Sequence, residues 1–289
     1  MNFAGFIVAQ SLNALSQAAV LFFIACGLTL IFGIMRIVNF AHGALYMLGA
    51  YVGFSLARAT GYYWTAVVIA PALVGVIGFA LESTVLRPLY RRPHGAFLLV
   101  TFGIALVTGE AIRLGWGPEP RQLVIPAALN GSVSLVGEPF PVYRLFLAAA
   151  GVVVVGGLWL FLERTRLGLI IRATAQNAEM VHALGYNVRW VRAGVFGLGC
   201  AFAALGGVMA APLVTAYLGM GVSVIVDAFV IVIIGGMGSF IGSVIGSLLV
   251  SVVQTFGNFY LPDFALAGTY LAMIAVLVLR PRGLFGRDE

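Results

Sequence analysis

A chain of 289 residues that is 62% hydrophobic and only 9% charged, with a mean hydropathy of +1.07, excludes a soluble domain and describes a polytopic membrane protein. At roughly 20 residues per span it holds about eight or nine helices plus loops, an all-α transmembrane bundle with no stretch left for a folded aqueous domain. A formal net charge of +6 would suit a nucleic-acid binder, but the arginines gather at span ends rather than on one basic face, so topology accounts for them and no nucleic-acid partner is expected.

The start, MNFAGFIVAQSLNALSQ, lacks a basic region and a cleavage-like ending, so it reads as the beginning of a span that directs insertion rather than a removable signal. Residues 8–34 form that first apolar segment. In IMRIVNFAHGALYMLGAY, Arg36, Asn39, His42 and Gly43 interrupt the apolar run before 44–56 resumes it. Either 36–43 is a cytosolic turn, or it breaks a discontinuous helix at membrane depth and lines a pathway. The span 62–86 ends in RPLYRRPH, where Arg87, Arg91 and Arg92 mark the cytosol, and 95–113 follows. The prolines of 114–142 forbid a helix there and make it an external loop. Its Glu119 and Glu138 suit docking of a substrate-delivering protein, or are simply solvated.

After the span 143–162 comes the longest polar stretch, ERTRLGLIIRATAQNAEMVHALGYNVRWVR at 163–192. Arg164, Arg166, Arg172, Arg189 and Arg192 outnumber Glu163 and Glu179, which places it on the cytoplasmic side. At about 100° per residue, Arg172, Ala175, Gln176, Glu179 and Ala183 share one face, with Ile170, Thr174 and Val181 opposite, and Gly185 supplies a stop. This predicts one amphipathic helix over 169–184 suited to the groove of a soluble partner. The plain alternative is a solvated or lipid-surface loop. Spans at 193–215, 222–236, 239–258 and 263–280 then bring the C-terminus, RPRGLFGRDE, to the cytosol. Only Arg58, Arg113, Arg121 and Arg144 fall outside. The count is nine helices with the N-terminus outside, or eight if 36–43 is a mid-membrane break.

No catalytic set is present, because His42, His94 and His182 are scattered and no serine lies in a nucleophile-elbow context. Cys26 and Cys200 lie in apolar stretches and read as small buried residues, so no metal site or disulfide is expected. The tract IIGGMGSFIGSVIG at 233–246 lacks GK[ST] and cradles no nucleotide. Its Gly235, Gly236, Gly238, Gly242 and Gly246 read instead as packing residues, the last three recurring every four positions on one smooth helix face that is either static or slides during gating. Ionisable groups in spans are functional candidates by default. Glu110 and Asp227 fall toward outer span ends and Glu82 toward an inner end, while Asn39, His42, Gly43 and Asp227 are the candidates for a translocation path. No chain of carboxylates and histidines crosses the bilayer, which counts against a proton-driven carrier.

The run Ala175, Glu179, Ala183, Gly185 inside AQNAEMVHALGYNV resembles the EAA-type loop of bacterial ABC-importer permeases, in the form found in the branched-chain amino acid permease family. IVNFAHGALYMLGAY at 37–51, IIGGMGSFIGSVIG at 233–246 and LRPRGLFG at 279–286 carry the same resemblance, which covers nearly the whole chain as a single permease domain. It implies a coupling helix that sits in a cleft of an ATPase subunit, with Arg172, Ala175, Glu179, Ala183 and Gly185 as the coupling residues. His182 and Tyr186 have no counterpart in that expectation. It further implies a second permease, identical or a paralogue, two ATPases holding ATP and Mg, an external solute-binding protein, a small zwitterionic substrate and a bacterial inner-membrane location. This chain would bind no cofactor and hydrolyse nothing. Related importers for ribose-like sugars, urea or short amides are the nearest alternative. A stand-alone secondary carrier or channel, for which 163–192 would be only a linker, is the alternative of a different class.

Overall fold

The computed structural model describes residues 3–135 and 137–286, so Arg287 of the predicted cytosolic tail lies outside the described residues. Eleven α-helices occur in order: α1 Phe3–Met35, α2 Ala41–Thr60, α3 Tyr63–Leu81, α4 His94–Trp116, α5 Val142–Arg164, α6 Arg166–Gln176, α7 Ala178–Ala183, α8 Val188–Ala210, α9 Met220–Gly235, α10 Phe240–Tyr260 and α11 Ala265–Leu279. The loop between α4 and α5 is not wholly irregular. It carries an antiparallel hairpin of β1 Ser132–Leu135 and β2 Glu138–Pro141, paired from Ser132↔Pro141 to Leu135↔Glu138.

Seven of the helices are long and apolar enough to cross a membrane, and the chain is a multi-pass membrane protein. α2 and α9 complete the embedded set among the described residues, and neither resembles an ordinary span. α9 has only 16 residues. α2 has 20 but carries His42, two tyrosines and Arg58. It tolerates them because its inner face is buried against α1, α3, α4, α8 and α9 rather than lipid. The centre is thus α1, α2, α8 and α9, and the exposed apolar residues Val76 of α3, Leu99 of α4, Val153 of α5 and Val278 of α11 mark an outer ring.

The two ends of the bundle are distinct. At the hairpin end, Arg144 Nη1 donates to Asn13 Oδ1 at 2.8 Å, Trp116 Nε1 donates to Ser55 Oγ at 2.6 Å, and Arg121 forms an isolated bridge with Ala216. At the opposite end lie α6 and α7 and the tail. There the Leu284 and Phe285 amides donate to the Ile234 and Gly235 carbonyls at 2.8 and 3.0 Å, closing the otherwise open last turn of α9. Arg58, Arg113, Arg121 and Arg144 stand at or near the hairpin end, and the other described arginines at the α6–α7 end.

The interrupted stretch after α1 is a break at depth, and the chain still makes a full passage. α1 ends at Met35, and Arg36, at φ +52, reverses the backbone while its amide donates to Phe32 O at 2.8 Å. Arg36 is the one non-glycine residue with positive φ among those described. His42 Nε2 then sits 3.0 Å from Ile24 O, 11 residues back along α1, or about 16 Å of helix rise. The five non-helical residues 36–40 carry the chain back over that distance. The odd number of passages survives because this segment and α2 together form one of them. α8 likewise stops at Ala210 rather than at 215, and 211–219 turns back to start α9 inside the bundle.

The glycine tract divides in two. Gly235, Gly242 and Gly246 bring α9 and α10 together: a Cβ on Gly242 would run into the backbone of Gly235, and one on Gly246 would lie 2.7 Å from Ile231 O. Gly238 is not on that helix face, because α10 starts at Phe240 behind its cap Ser239. With φ values of +99 and +81, Gly236 and Gly238 form the preceding turn, Gly236 against Gly286 and Gly238 against Gly33 of α1. Gly242→Leu is therefore expected to destabilise the folded chain by about 1–3 kcal/mol through overpacking, measured as a lowered melting midpoint in detergent; an unchanged midpoint would mean that α9 and α10 do not approach as described.

Candidate coupling and translocation sites

Three caps shape the polar stretch. Thr165 Oγ1 accepts from Gly168 N at 3.0 Å and starts α6, Asn177 Oδ1 accepts from Met180 N at 2.8 Å and starts α7, and Asn187 Oδ1 accepts from Arg189 N at 3.2 Å and starts α8. The single helix predicted over 169–184 is thus two helices meeting at a corner. Asn177, at φ −151, leaves helical geometry to cap α7. The corner dissolves the predicted common face: Gln176, Glu179 and Ala183 are exposed, while Arg172 and Ala175 are half-buried. Arg172 is ion-paired with Glu163 and ties α6 to the end of α5, and Ala175 packs on the core. Thr174 and Val181 do face inward. Gly185 takes φ +88 with the Tyr186 amide donating back to Val181 O at 3.3 Å, so the stop is a left-handed one.

The outward side of this corner is largely apolar. Leu167, Leu169, Met180 and Leu184 are all about 60–70% exposed on a segment at the end of the bundle, with charged neighbours between them. Sequence periodicity missed these four because it started the helix at 169, beyond Leu167, and treated 169–184 as one cylinder. The caps at Thr165 and Asn177 were the available signal, since Ser, Thr and Asn before an apolar run mark helix starts.

At the break, Asn39 and His42 are fully buried. Asn39 Oδ1 accepts from Ala41 N at 3.1 Å and Thr101 Oγ1 accepts from Phe40 N at 3.3 Å, so the amides freed at the start of α2 are satisfied locally. The contact with the Ile24 carbonyl fixes the proton of His42 on Nε2. Gly43 meets the first turn of α9: a methyl on Gly221 would stand 2.6 Å from Gly43 O, and the rings of Phe40 and Phe229 lie 5.3 Å apart, edge to face. Asp227 lies elsewhere on α9, at its middle rather than near an outer span end. Its Oδ1 accepts from Gln254 Nε2 at 3.1 Å, and Gln254 Oε1 accepts from Gln17 Nε2 at 2.6 Å, with Thr255 Oγ1 donating to Gln17 Oε1 at 3.3 Å. This seam joins α1, α9 and α10. The structure brings Gly43 to α9 but keeps Asn39 and His42 out of the seam. Gln17 and Gln254 were missed by sequence reasoning, although glutamines inside apolar spans are visible as exceptions.

Glu82, expected toward an inner span end, is enclosed by protein there. It is fully buried in a π-helical turn, Glu82–Leu86, where Arg87 Nη2 and Tyr90 Oη donate to it at 3.1 and 2.9 Å. Glu110 is exposed and paired with Arg113 on its own helix. The described residues hold no cluster of three or more potential metal ligands.

The family described as branched-chain amino acid transport system, permease component, matches residues 10–279. The chain belongs to that family. The permease is 29% identical to the high-affinity branched-chain amino acid transport system permease protein BraD of Pseudomonas aeruginosa, over 97% of this chain and 96% of that protein. It is 28% identical to LivH of Escherichia coli K12 over 98% and 97% of the two chains. A probable branched-chain amino acid transport permease protein LivH of Methanocaldococcus jannaschii shares 25% identity over 96% and 91%. These relatives are transport subunits. They fix the family of the permease and leave the roles of its individual residues to experiment.

In the permease, Gly185→Val adds no clash, since nothing lies within 4 Å of the new Cβ, but imposes a left-handed φ on a β-branched residue. The cost is about 1–3 kcal/mol, confined to the end of α7. Gly185→Val and the exposed reversal Glu179→Arg are both expected to leave membrane abundance unchanged and to lower uptake in cells; wild-type uptake in both would leave α6–α7 as a solvated loop.

Proposed function

We propose that the permease is one translocation subunit of an ATP-driven importer for branched-chain amino acids in the bacterial inner membrane. The observation that carries this reading is the α6–α7 corner, an anchored element whose exposed Leu167, Leu169, Met180 and Leu184 suit the groove of a soluble partner. Two ATPase subunits, holding ATP and Mg, would each receive such an element. A second permease, identical or a paralogue, would complete the pathway, and an external solute-binding protein would deliver the zwitterion to the hairpin end. The arginine asymmetry supports an orientation with α6, α7 and the C-terminus in the cytosol.

Within this reading the seam is the recognition element. Asp227 is an acidic group amid an apolar bundle, held by Gln254 and available to an α-ammonium group, while apolar walls accept the branched side chain. Asn39, His42 and Gly43 are sealed in this conformation and would enter the path when α2 and α9 part at the Gly43–Gly221 contact. Arg172 and Ala175 act by holding α6, and Glu179, Ala183 and Gly185 by shaping α7.

The test is to purify the tagged permease from its native membrane, identify the bound chains, and measure ATP hydrolysis with leucine and the binding protein added. ATPase subunits and leucine-stimulated hydrolysis are expected; a chain that purifies alone and moves leucine without ATP overturns the reading. Asp227→Asn keeps the shape and removes the charge. It is expected to lower leucine uptake about tenfold or more, the equivalent of one charged hydrogen bond, with subunit association retained.

A further inference from the structure

The α6–α7 end holds a groove of about 940 Å³ between the turn after α3 and the turn that leads into α8. Its wall includes Ser83, Arg87, Tyr90, Tyr186, Arg189 and Arg192, three guanidinium groups with no carboxylate among the lining residues. Glu82, beside the lining residue Ser83, is buried and already accepts from Arg87 and Tyr90. It neutralises one arginine and leaves two. Arg192 lies 4.8 Å from the Tyr90 ring centre, which orients its guanidinium without discharging it. With Arg87 spent on Glu82, the guanidinium groups of Arg189 and Arg192 face no carboxylate among the lining residues, and a groove of net positive charge calls for an anion with several acceptor oxygens.

The surroundings decide which molecule carries that anion. Trp190 is 61% exposed and stacks on Phe79 of α3 at 5.6 Å, and Val76, Ile77 and Val85 are exposed apolar residues of the same helix and its terminal turn. A cationic floor beside an apolar ridge, with an indole at the junction, matches a phospholipid at the edge of a bilayer. We infer that this groove binds the phosphate headgroup of an anionic phospholipid, whose acyl chains lie along α3 and Trp190. Arg189 and Arg192 hold the phosphate, and Ser83, Tyr186 and Arg87 complete the headgroup site. The inference rests on the membrane location of the chain and not on its substrate, so it stands or falls separately from the importer reading.

Native mass spectrometry of the purified full-length permease measures retained phosphatidylglycerol directly. Melting midpoints in phosphatidylcholine nanodiscs, with and without phosphatidylglycerol, and again with inorganic phosphate, measure the same site by linkage. Wild type is expected to retain phosphatidylglycerol over phosphatidylethanolamine and to melt higher when it is present. Arg189→Gln/Arg192→Gln should lower retention about tenfold and abolish the shift, whereas the exposed Arg58→Gln at the hairpin end changes neither. Arg189→Gln alone, at an exposed position, serves if the double variant folds poorly, and should lower retention in part. Unchanged retention in these variants overturns the assignment, as does equal stabilisation by phosphatidylethanolamine. A shift of the same size with inorganic phosphate alone would overturn the lipid assignment and make this a free-anion site. Loss of the retained lipid on assembly with the ATPase subunits would overturn it too, giving the groove to an acidic element of that partner.

Discussion

Backbone that stops being helical inside an apolar bundle has no water to turn to, and the reversal at Arg36 meets that constraint. Its left-handed φ sends the chain back along α1, and amides at both ends of the break find partners nearby: Phe32 O for Arg36, Asn39 Oδ1 for Ala41, Thr101 Oγ1 for Phe40. The rest of the centre depends on this. Because α2 starts at the level of Ile24, its first turn can meet α9, which also starts inside, and both are carried by the full-length α1. Large side chains cannot occupy that junction, which is why Gly43 faces Gly221, and Gly27 faces Gly199 on the other side of His42. Two short helices joined through bare backbone form an interface with little interdigitation to resist sliding.

The polar end is built on a different principle. Caps rather than packing set its shape, and two of them end the helix before: Thr165 ends α5 to begin α6, and Asn177 ends α6 to begin α7. The result is a corner with a buried inner edge, Gly168, Thr174 and Val181, and an apolar outer edge. α6 packs on both α1 and α8, so a push on this corner is delivered to the helices that carry the break. A straight helix from 169 to 184 would have presented one stripe and touched less of the centre.

Charge is placed sparingly in the embedded region. Glu82 is enclosed by donors on a turn widened to π geometry, a device that re-aims side chains without ending the helix. Asp227 is held by one glutamine, which is held by another, so its carboxylate is oriented but incompletely satisfied by protein. That difference separates a structural acid from one that can still take a ligand. The tail solves a smaller problem of the same kind, because amides from Leu284 and Phe285 close α9 where the turn of Gly236 and Gly238 leaves its carbonyls open.

The sequence by itself determined the class, which arginine-rich turns share one end of the bundle, most helix limits within a few residues, and the family, because hydropathy and charge act locally and need no knowledge of neighbours. It also marked 36–43 as irregular, since a polar run between apolar segments is visible in one dimension. Whether that run lay at the surface or at depth was not legible, because depth is set by which turn of α1 meets His42. The same limit hid the Glu82 enclosure and the Gln17–Gln254–Asp227 seam, which join residues as many as 237 positions apart. It also turned Gly238 from a helix residue into a turn residue and one amphipathic helix into two. In each case the deciding energy was a hydrogen bond or a backbone approach between distant segments, and only the folded chain brings those together.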